Sequence, residues 1–305
     1  MSFASEIKES LCRVRDNSKR CARAELAAAV CFAGTYRNGK IKIKTENEGV
    51  AERICFLAGI VSGNEFAKRH IVCEKPKKSG GMYSVTVSED SAALFADMLM
   101  IDTAGEGLCP AAEICEKSCC ASAFVRGAFL GGGSVSDPEK NYHAEFVTKT
   151  PPLADLLYER LLGEDIGAKM TVRKDSFVVY VKDSEAIASM LGIMGAGIPM
   201  MDFYNIKIER ELRNNVNRQV NCDNANADKI TAAAKRHLTA IKKVKNAIGL
   251  EKLPPVLGEI ALLREQNPEM SLKELGTLLT PPIGKSGVNH RLERICEIAR
   301  DIAGE

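Results

Sequence analysis

Two segments of the chain place small residues along one side of a helix, and this repetition constrains the fold more than any other feature. The first segment reads LAAAVCFAGT over 26–35, and the second reads FVRGAFLGGGS over 124–134. The small residues are Ala24, Ala27, Ala28 and Cys31 in the first, and Ala123, Gly127 and Gly131 in the second. At helical spacing they share one face, which lets another helix approach closely. We therefore expect two similar halves packed through these two helices.

The segments that follow the two helices are also alike once Gly34 is aligned with Gly133. Residues 40–45 (KIKIKT) and 143–148 (HAEFVT) both alternate apolar and polar side chains. This period of two is typical of half-buried strands. The shared order of elements predicts a diverged duplication rather than a chance likeness.

Each half then repeats a helix, a strand and a closing helix. Asn47 is the predicted N-cap of the first of these helices, and Thr150, followed by Pro151, is its counterpart in the second half. The predicted strands are 83–87 and 177–181, and the predicted closing helices are 91–99 and 184–191.

The small-faced helices resemble the LAGLIDADG helices of homing endonucleases, since residues 126–134 (RGAFLGGGS) are close to the usual form RGLFDADGS. More specifically, residues 119–146 resemble the WhiA family of bacterial regulators. The blocks SFASEIKESL, NRQVNCDNANADKITAAA and PIGKSGVNHRLERI extend this resemblance through essentially the whole chain. The resemblance implies an α+β fold, in which a duplicated LAGLIDADG homing-endonuclease-like domain is followed by an all-α helix-turn-helix domain.

The acidic residues of the endonuclease pattern are absent. In the enzymes each LAGLIDADG helix carries a carboxylate just before its final glycine, and the two carboxylates hold divalent metals. These positions are Ala33 and Gly132 here, and the earlier acid of the motif is replaced by Cys31 and Leu130. Asp137 lies beyond the turn and has no counterpart in the first half. We therefore expect a retained scaffold without catalytic residues, metal or cofactor.

Charge and composition exclude several other classes of protein. The net charge is +2, so nucleic-acid binding must come from local basic faces rather than from the whole surface. The charged N-terminal sequence does not resemble a signal peptide, and no apolar run approaches the ~20 residues of a membrane span. Eleven cysteines without a CxxC motif fit a reducing compartment. The predicted location is the cytoplasm, in association with the nucleoid.

Four of the cysteines cluster in the sequence at 109, 115, 119 and 120. Soft-metal ligation is one interpretation of this cluster. Irregular spacing without a nearby histidine favours the other, in which the cysteines pack around the helix that leads to Phe124. We expect no metal ligands among them.

A basic helix is predicted over 228–248. It carries no acid from Lys229 to Lys245, and the residues assigned to DNA contact are Lys235, Arg236, Lys242 and Lys243. Such a run contacts phosphates in some proteins, and in others it is only a solvated helix face.

The C-terminal segment has a helix-turn-helix pattern. A short helix is predicted over 256–264, a second over 272–279 opened by a capping box of Ser271 and Glu274, and a third over 287–303. The apolar stripe of the third helix consists of Val288, Leu292, Ile295 and Ala299. Two short helices, a turn and a longer helix are typical of this DNA-binding motif, although three-helix units also serve as interaction modules.

The start of the third helix supplies the predicted DNA contacts. The N-terminal residues of the last helix in such motifs reach base edges in the major groove. Asparagine and arginine suit adenine and guanine edges, whereas Lys285 and Ser286, at the turn, suit phosphate. The predicted contacts are Lys285, Ser286, Asn289, His290, Arg291 and Arg294. Glu293 and Glu297 oppose DNA binding by the later turns.

A few further residues have weaker assignments. His237 is predicted to face solvent, and no nucleophile stands at a persuasive spacing from it. His143 and Glu145 share a strand face near the degenerate site. Lys40, Lys42 and Lys44 suit DNA backbone contact and equally suit an ordinary exposed strand.

The predicted domains are 1–210, made of halves of about 1–105 and 106–205, a linker over 211–228, and a helix-turn-helix domain over 229–305. The family resemblance implies a DNA-binding regulator of cell division and sporulation that binds double-stranded DNA and other regulatory proteins such as a sigma factor. Two alternatives remain open: an interaction scaffold with little DNA binding, and a residual metal-dependent endonuclease.

Overall fold

The computed structural model describes residues 2–15, 18–76, 80–105 and 107–303. It divides into a unit of residues 1–210 and a unit of residues 211–305. The predicted domain and half boundaries at residues 1, 106 and 305 lie outside the described residues.

The first half of the first unit packs helices on one face of an antiparallel sheet. Its described strands are ordered β1-β2-β4-β3. Its elements are α1 (Phe3–Cys12), α2 (Lys19–Ala33), β1 (Gly34–Arg37), β2 (Lys40–Thr45), α3 (Glu48–Ser62), α4 (Asn64–His70), β3 (Ile71–Glu74), β4 (Tyr83–Val87) and α5 (Glu89–Met98). The prediction for β2 is confirmed, because Ile41 and Ile43 are buried in the core while the lysines between them are exposed. Asn47 caps α3 by accepting a hydrogen bond from the Val50 amide at 3.1 Å.

The second half repeats this order after a short connection. The connection consists of β5 (Ile101–Asp102), β6 (Cys109–Pro110) and a 3₁₀ turn at Ala112–Cys115. The repeated elements are α6 (Ser118–Gly132), β7 (Gly133–Val135), β8 (Ala144–Thr148), α7 (Pro151–Gly163), β9 (Lys169–Arg173), β10 (Ser176–Val181) and α8 (Ser184–Met194). Its described strands are ordered β7-β8-β10-β9, which matches the first sheet strand for strand. The predicted duplication is therefore confirmed.

The two small-faced helices, α2 and α6, pack directly against each other, as the sequence predicts. A Cβ atom added at Gly131 would lie 2.8 Å from the Cβ of Phe32 and 3.0 Å from the carbonyl oxygen of Ala29. One added at Gly127 would collide with the carbonyl oxygen of Glu25. The glycines are needed because backbone meets backbone at this crossing.

A buried ion network lies within the same interface. Glu25 of α2 accepts two hydrogen bonds from Arg53 of α3, at 2.8 and 2.9 Å, and one from Arg126 of α6 at 2.9 Å. Arg126 also donates to the carbonyl oxygen of Met194 at 3.0 Å. All three charged side chains are at least nine-tenths buried. A buried charge is tolerated only with such partners, so the network links the two halves.

The second unit is helical. Its described elements are the C-terminal part of α9 (Gly197–Ala247), a 3₁₀ turn at Leu250–Lys252, α10 (Pro255–Gln266), α11 (Leu272–Thr277) and α12 (Lys285–Ala303). The core contains Ile241, Val244, Ile260, Leu275, Val288, Leu292 and Ile295. Residues 211–228, predicted as a linker, lie inside α9 and are helical.

Arg264 of α10 is buried beneath the turn that leads to α11. Its Nη1 atom donates to the carbonyl oxygen of Met270 at 2.7 Å. This contact satisfies part of the guanidinium and fixes the connection between α10 and α11.

In the four described ranges, we find no helix that joins the length and the apolar character needed to cross a bilayer.

Candidate nucleic-acid interface

The C-terminal end of α2, one of the two positions at which an endonuclease would carry a metal-binding acid, borders a cavity of about 710 Å³. Ala33 is the last residue of α2 and Gly132 the last residue of α6. The structure therefore places these two positions at equivalent ends of paired helices. Ala33 also lines the cavity.

The surroundings of Gly132 leave no room for a side chain. A Cβ atom there would lie 2.8 Å from the carbonyl oxygen of Val147 and 2.9 Å from Cδ1 of Phe32. Both distances are shorter than van der Waals contact. An aspartate at this position would require β8 or Phe32 to move, so the loss of the acid is accompanied by closure of the space it needs.

The cavity is lined by groups that suit anions better than metal ions. Arg37 and Lys149 contribute to its wall together with Thr35, Thr103 and Ser176. Among the residues of the wall that the structure describes, none bears a carboxylate. Hard divalent cations are held mainly by carboxylate oxygens, so the described wall does not form a Mg²⁺ site.

Two acids that follow α6 in the sequence, Glu145 and Asp137, are engaged in other contacts. Glu145 contacts Nε2 of His143 at 3.2 Å and Nη1 of Arg173 at 3.6 Å. Asp137 accepts a hydrogen bond from the Glu139 amide at 3.0 Å and pairs with Lys140 at 3.6 Å. The shared strand face of His143 and Glu145 is thus confirmed, and their contact is an ion-pair or hydrogen-bond contact on the outer face of the sheet.

The outer face of the first sheet is basic at its centre. Lys42 and Lys44 are exposed on β2, and Lys42 stands between Thr35 of β1 and Thr86 of β4 in the strand register. Lys40, further along β2, is 3.6 Å from Glu89. The second sheet has Glu145 and Val147 at the corresponding positions. The central strand β8 of the second sheet is therefore less basic than β2 of the first, as the sequence indicated.

The C-terminal helices form as the sequence predicts. Ser271 accepts a hydrogen bond from the Glu274 amide at 3.3 Å, and Glu274 accepts one from the Ser271 amide at 2.8 Å, which completes the capping box of α11. The predicted stripe of α12 is buried: Val288, Leu292, Ile295 and Ala299. α12 begins at Lys285, two residues earlier than expected.

The beginning of α12 is open to solvent. Lys285, Ser286, Asn289 and His290 are exposed, whereas Arg291 is half-buried. Arg294, one turn later, is exposed but holds Glu297 at 2.7 Å. This surface has the polar and basic side chains that contact phosphates and base edges in helix-turn-helix proteins.

The basic face of α9 is less uniform than the sequence indicated. Lys235, Lys242 and Lys243 are exposed. Arg236, however, forms an ion pair with Glu293 of α12. Lys245 similarly pairs with Glu265 of α10 at 3.0 Å. Both pairs escape sequence patterns because their members are far apart along the chain, although the absence of acids from Lys229 to Lys245 was a signal that the partners lie on other helices.

His237 is buried, so its predicted solvent exposure is wrong. Its side chain has no accessible surface, and its Nε2 atom is 3.9 Å from Glu293, beyond hydrogen-bonding distance. Neither ring nitrogen has a hydrogen-bond partner among the described residues. Burial, with help from the nearby Arg264 and Arg236, lowers the pKa of His237 to about 4. Local sequence pattern does not predict this burial, because the residues beside His237 belong to α10 and α12, which are distant along the chain.

Two family models together match most of the chain. The WhiA LAGLIDADG-like domain matches residues 121–213, and the WhiA C-terminal HTH domain matches residues 216–299. A protein of Alkaliphilus metalliredigens named probable cell division protein WhiA is 39% identical over 311 residues, covering 98% of each chain. The chain belongs to the WhiA family.

Other WhiA proteins agree over the same length. A protein of Lachnoclostridium phytofermentans with the same name is 39% identical and covers 98% of both chains. The crystal structure of full-length DUF199/WhiA from Thermatoga maritima aligns with a TM-score of 0.59 at 26% identity, covering 99% of both chains. Membership of the WhiA family confirms the predicted fold, in which a LAGLIDADG homing-endonuclease-like domain precedes a helix-turn-helix domain.

Proposed function

We propose that this chain is a DNA-binding regulator of cell division that contacts duplex DNA through the exposed beginning of α12. The observation that carries the proposal is the separation of the two faces of α12. One face is buried in the core of the second unit, and the other offers Lys285, Ser286, Asn289 and His290 to solvent. The match to the WhiA helix-turn-helix domain supports the same reading.

Each exposed residue has a distinct role in the proposal. Asn289 and Arg291 read base edges, because their side chains make paired hydrogen bonds with adenine and guanine. Lys285 and Ser286 contact phosphate. His290 is a polar contact residue beside them.

A second group of exposed basic residues lies on α9. Lys235, Lys242 and Lys243 bind phosphates non-specifically and make the affinity dependent on salt. Arg236 and Arg294 contribute less, since each is already paired with a glutamate.

The proposed regulator is not a nuclease. The closed space at Gly132 and the carboxylate-free described wall of the neighbouring cavity support this part of the proposal. Incubation of the purified protein with supercoiled plasmid and Mg²⁺ or Mn²⁺ should give no nicking above a metal-free control. Metal-dependent nicking that follows the protein through gel filtration would show that the residual endonuclease alternative is correct.

The DNA-binding proposal is tested in two steps. Chromatin immunoprecipitation with sequencing in the source organism identifies the bound sites. Fluorescence anisotropy on such a site then compares Asn289→Ala with Asn226→Ala, a control on the exposed surface of α9. The first change should cost about 1–3 kcal/mol of binding free energy, and the second should cost nothing measurable.

Lys285→Ala gives an independent measurement, because the slope of log affinity against log salt should fall by about one for a lost phosphate contact. If the protein neither enriches chromosomal DNA nor binds duplex DNA at low salt, the interaction-scaffold alternative replaces the proposal. A regulatory protein such as a sigma factor would then be the partner to seek. The proposal also includes a role in sporulation and association with the nucleoid, which we expect as consequences of promoter binding.

A further inference from the structure

Three cysteines from the two halves of the first unit meet at the N-terminal ends of α2 and α6. Cys21 lies in the first turn of α2, and Cys119 and Cys120 lie in the first turn of α6. Their sulfur atoms all lie within 4.8 Å of one another. We propose that these cysteines form a binding site for a soft, thiophilic metal ion, for which Zn²⁺ is the probe.

The spacing of the sulfur atoms suits thiolate coordination. In a tetrahedral site with zinc–sulfur bonds of ~2.3 Å, the sulfurs stand ~3.8 Å apart. Cys21 and Cys120 are buried and held by their helices, whereas Cys119 is exposed. The upper limit of 4.8 Å on the observed separations is therefore close to the spacing that coordination needs.

Three protein ligands leave a fourth position open on the solvent side of Cys119. Zinc sites with three protein ligands accept water or an exogenous ligand there. The site therefore takes a metal with one exchangeable ligand, either water or a small thiol, rather than a fully enclosed structural zinc.

The surroundings of the three sulfurs act on the thiolate forms that metals require in opposite directions. The three cysteines lie in the first turns of two helices, where the partial positive charge of the helix ends favours thiolates. Burial and the neighbouring Cys119 raise the pKa of Cys120 on balance, although a hydrogen bond from Cys21 and the charge of Arg20 act in the opposite direction. Each ligand loses its proton when it binds the metal, so binding releases protons and strengthens as the pH rises.

This site differs from the cysteine cluster visible in the sequence, and it departs from the expectation that the chain has no metal ligands. Cys109 and Cys115 are not members of the three-sulfur group. Cys21, which completes it, belongs to the first half. Coordination would join the beginnings of α2 and α6, whose opposite ends carry Ala33 and Gly132. The metal would therefore cross-link the two halves.

The test is a metal titration of the full-length, reduced protein under anaerobic conditions. Co²⁺ serves as a spectroscopic probe, and Zn²⁺ is then measured by competition with a chromophoric chelator. We expect one equivalent of Co²⁺ to produce thiolate-to-metal charge transfer with the visible absorption of a tetrahedral site. Zn²⁺ should displace it and raise the melting temperature.

Cys119→Ser is the main variant, because an exposed side chain can be changed without disturbing the fold. We expect it to weaken Zn²⁺ binding by about 100-fold, at the upper end of the ~10–100-fold that even an outer-shell change costs. Cys21→Ala should abolish the cobalt spectrum. Cys222→Ser, which removes an exposed cysteine of α9, is the matched control and should titrate like the unaltered protein.

Equal Zn²⁺ affinity in the unaltered protein and in Cys119→Ser would overturn the proposal, as would the absence of a thiolate-to-cobalt band at one equivalent. Circular dichroism of each apo variant separates loss of ligation from loss of folding. A variant that is unfolded without metal is replaced by Cys120→Ser, and the same comparison is made with it.

Discussion

The buried imidazole of His237 should make the second unit less stable in mild acid. In the unfolded chain a histidine titrates near pH 6.5, whereas His237 in the folded protein has a pKa of about 4. Below the unfolded value, protonation stabilises the unfolded state while the folded state stays neutral. The folded state therefore loses stability as the pH falls from about 6.5 toward about 4, and the loss levels off below that.

The magnitude follows from the two pKa values. The full difference corresponds to about 3 kcal/mol, of which about 1.3 kcal/mol is lost between roughly pH 7.5 and roughly pH 5.5. Hydrogen exchange with mass spectrometry of α12 peptides in the intact protein measures this loss of stability as a change in opening free energy. The exchange rates are first corrected for the pH dependence of amide exchange in an unfolded chain.

His237→Leu removes the titrating group, so the difference in opening free energy between it and the unaltered protein should vary with pH by the same about 1.3 kcal/mol. His290→Leu, the same substitution at the exposed start of α12, is the control and should leave the pH dependence in place. If the His237→Leu protein loses stability in acid as steeply as the unaltered one, the reasoning from the buried imidazole is refuted.

Three further predictions concern the first unit. Gly127→Ala should destabilise it by about 1–3 kcal/mol or more in urea unfolding, because the new methyl group meets the Glu25 backbone, whereas Gly163→Ala at an open helix end should be tolerated. Glu25→Gln should cost about 3–5 kcal/mol by leaving two arginines buried without a countercharge, and a melting temperature equal to that of the unaltered protein would contradict this. Gly132→Asp should lower the melting temperature and still give no plasmid cleavage with Mn²⁺; cleavage would show that the site is open enough to be restored.

Local pattern was sufficient for most of the fold. Residues 40–45 alternate with the period of a strand, and the apolar residues from Val288 to Ala299 recur with the period of a helix. Each pattern therefore predicts both the type of element and the face that it buries. The small faces of α2 and α6 likewise predicted a close crossing. All of these patterns involve residues that are close together along the chain, so they can be recognised from the sequence alone.

The errors and omissions concern contacts between distant segments. His237 looks like one more polar residue on a basic helix, and only the packing of α10 and α12 shows that it is buried. Arg236 and Glu293 are both typical surface residues, yet they meet across two helices. The three-sulfur group needs Cys21 from the other half. Spacing along one segment carries no information about such pairings.

The buried carboxylate of Glu25 distinguishes the two halves of a domain whose backbones are otherwise alike. The alignment that superposes Gly34 on Gly133 places Phe124 opposite Glu25 and Ala27 opposite Arg126. Two copies of the first half, if they paired through α2, would bury two carboxylates and lack the arginine that α6 supplies. The network thus favours pairing of one first half with one second half over a symmetric pair of first halves.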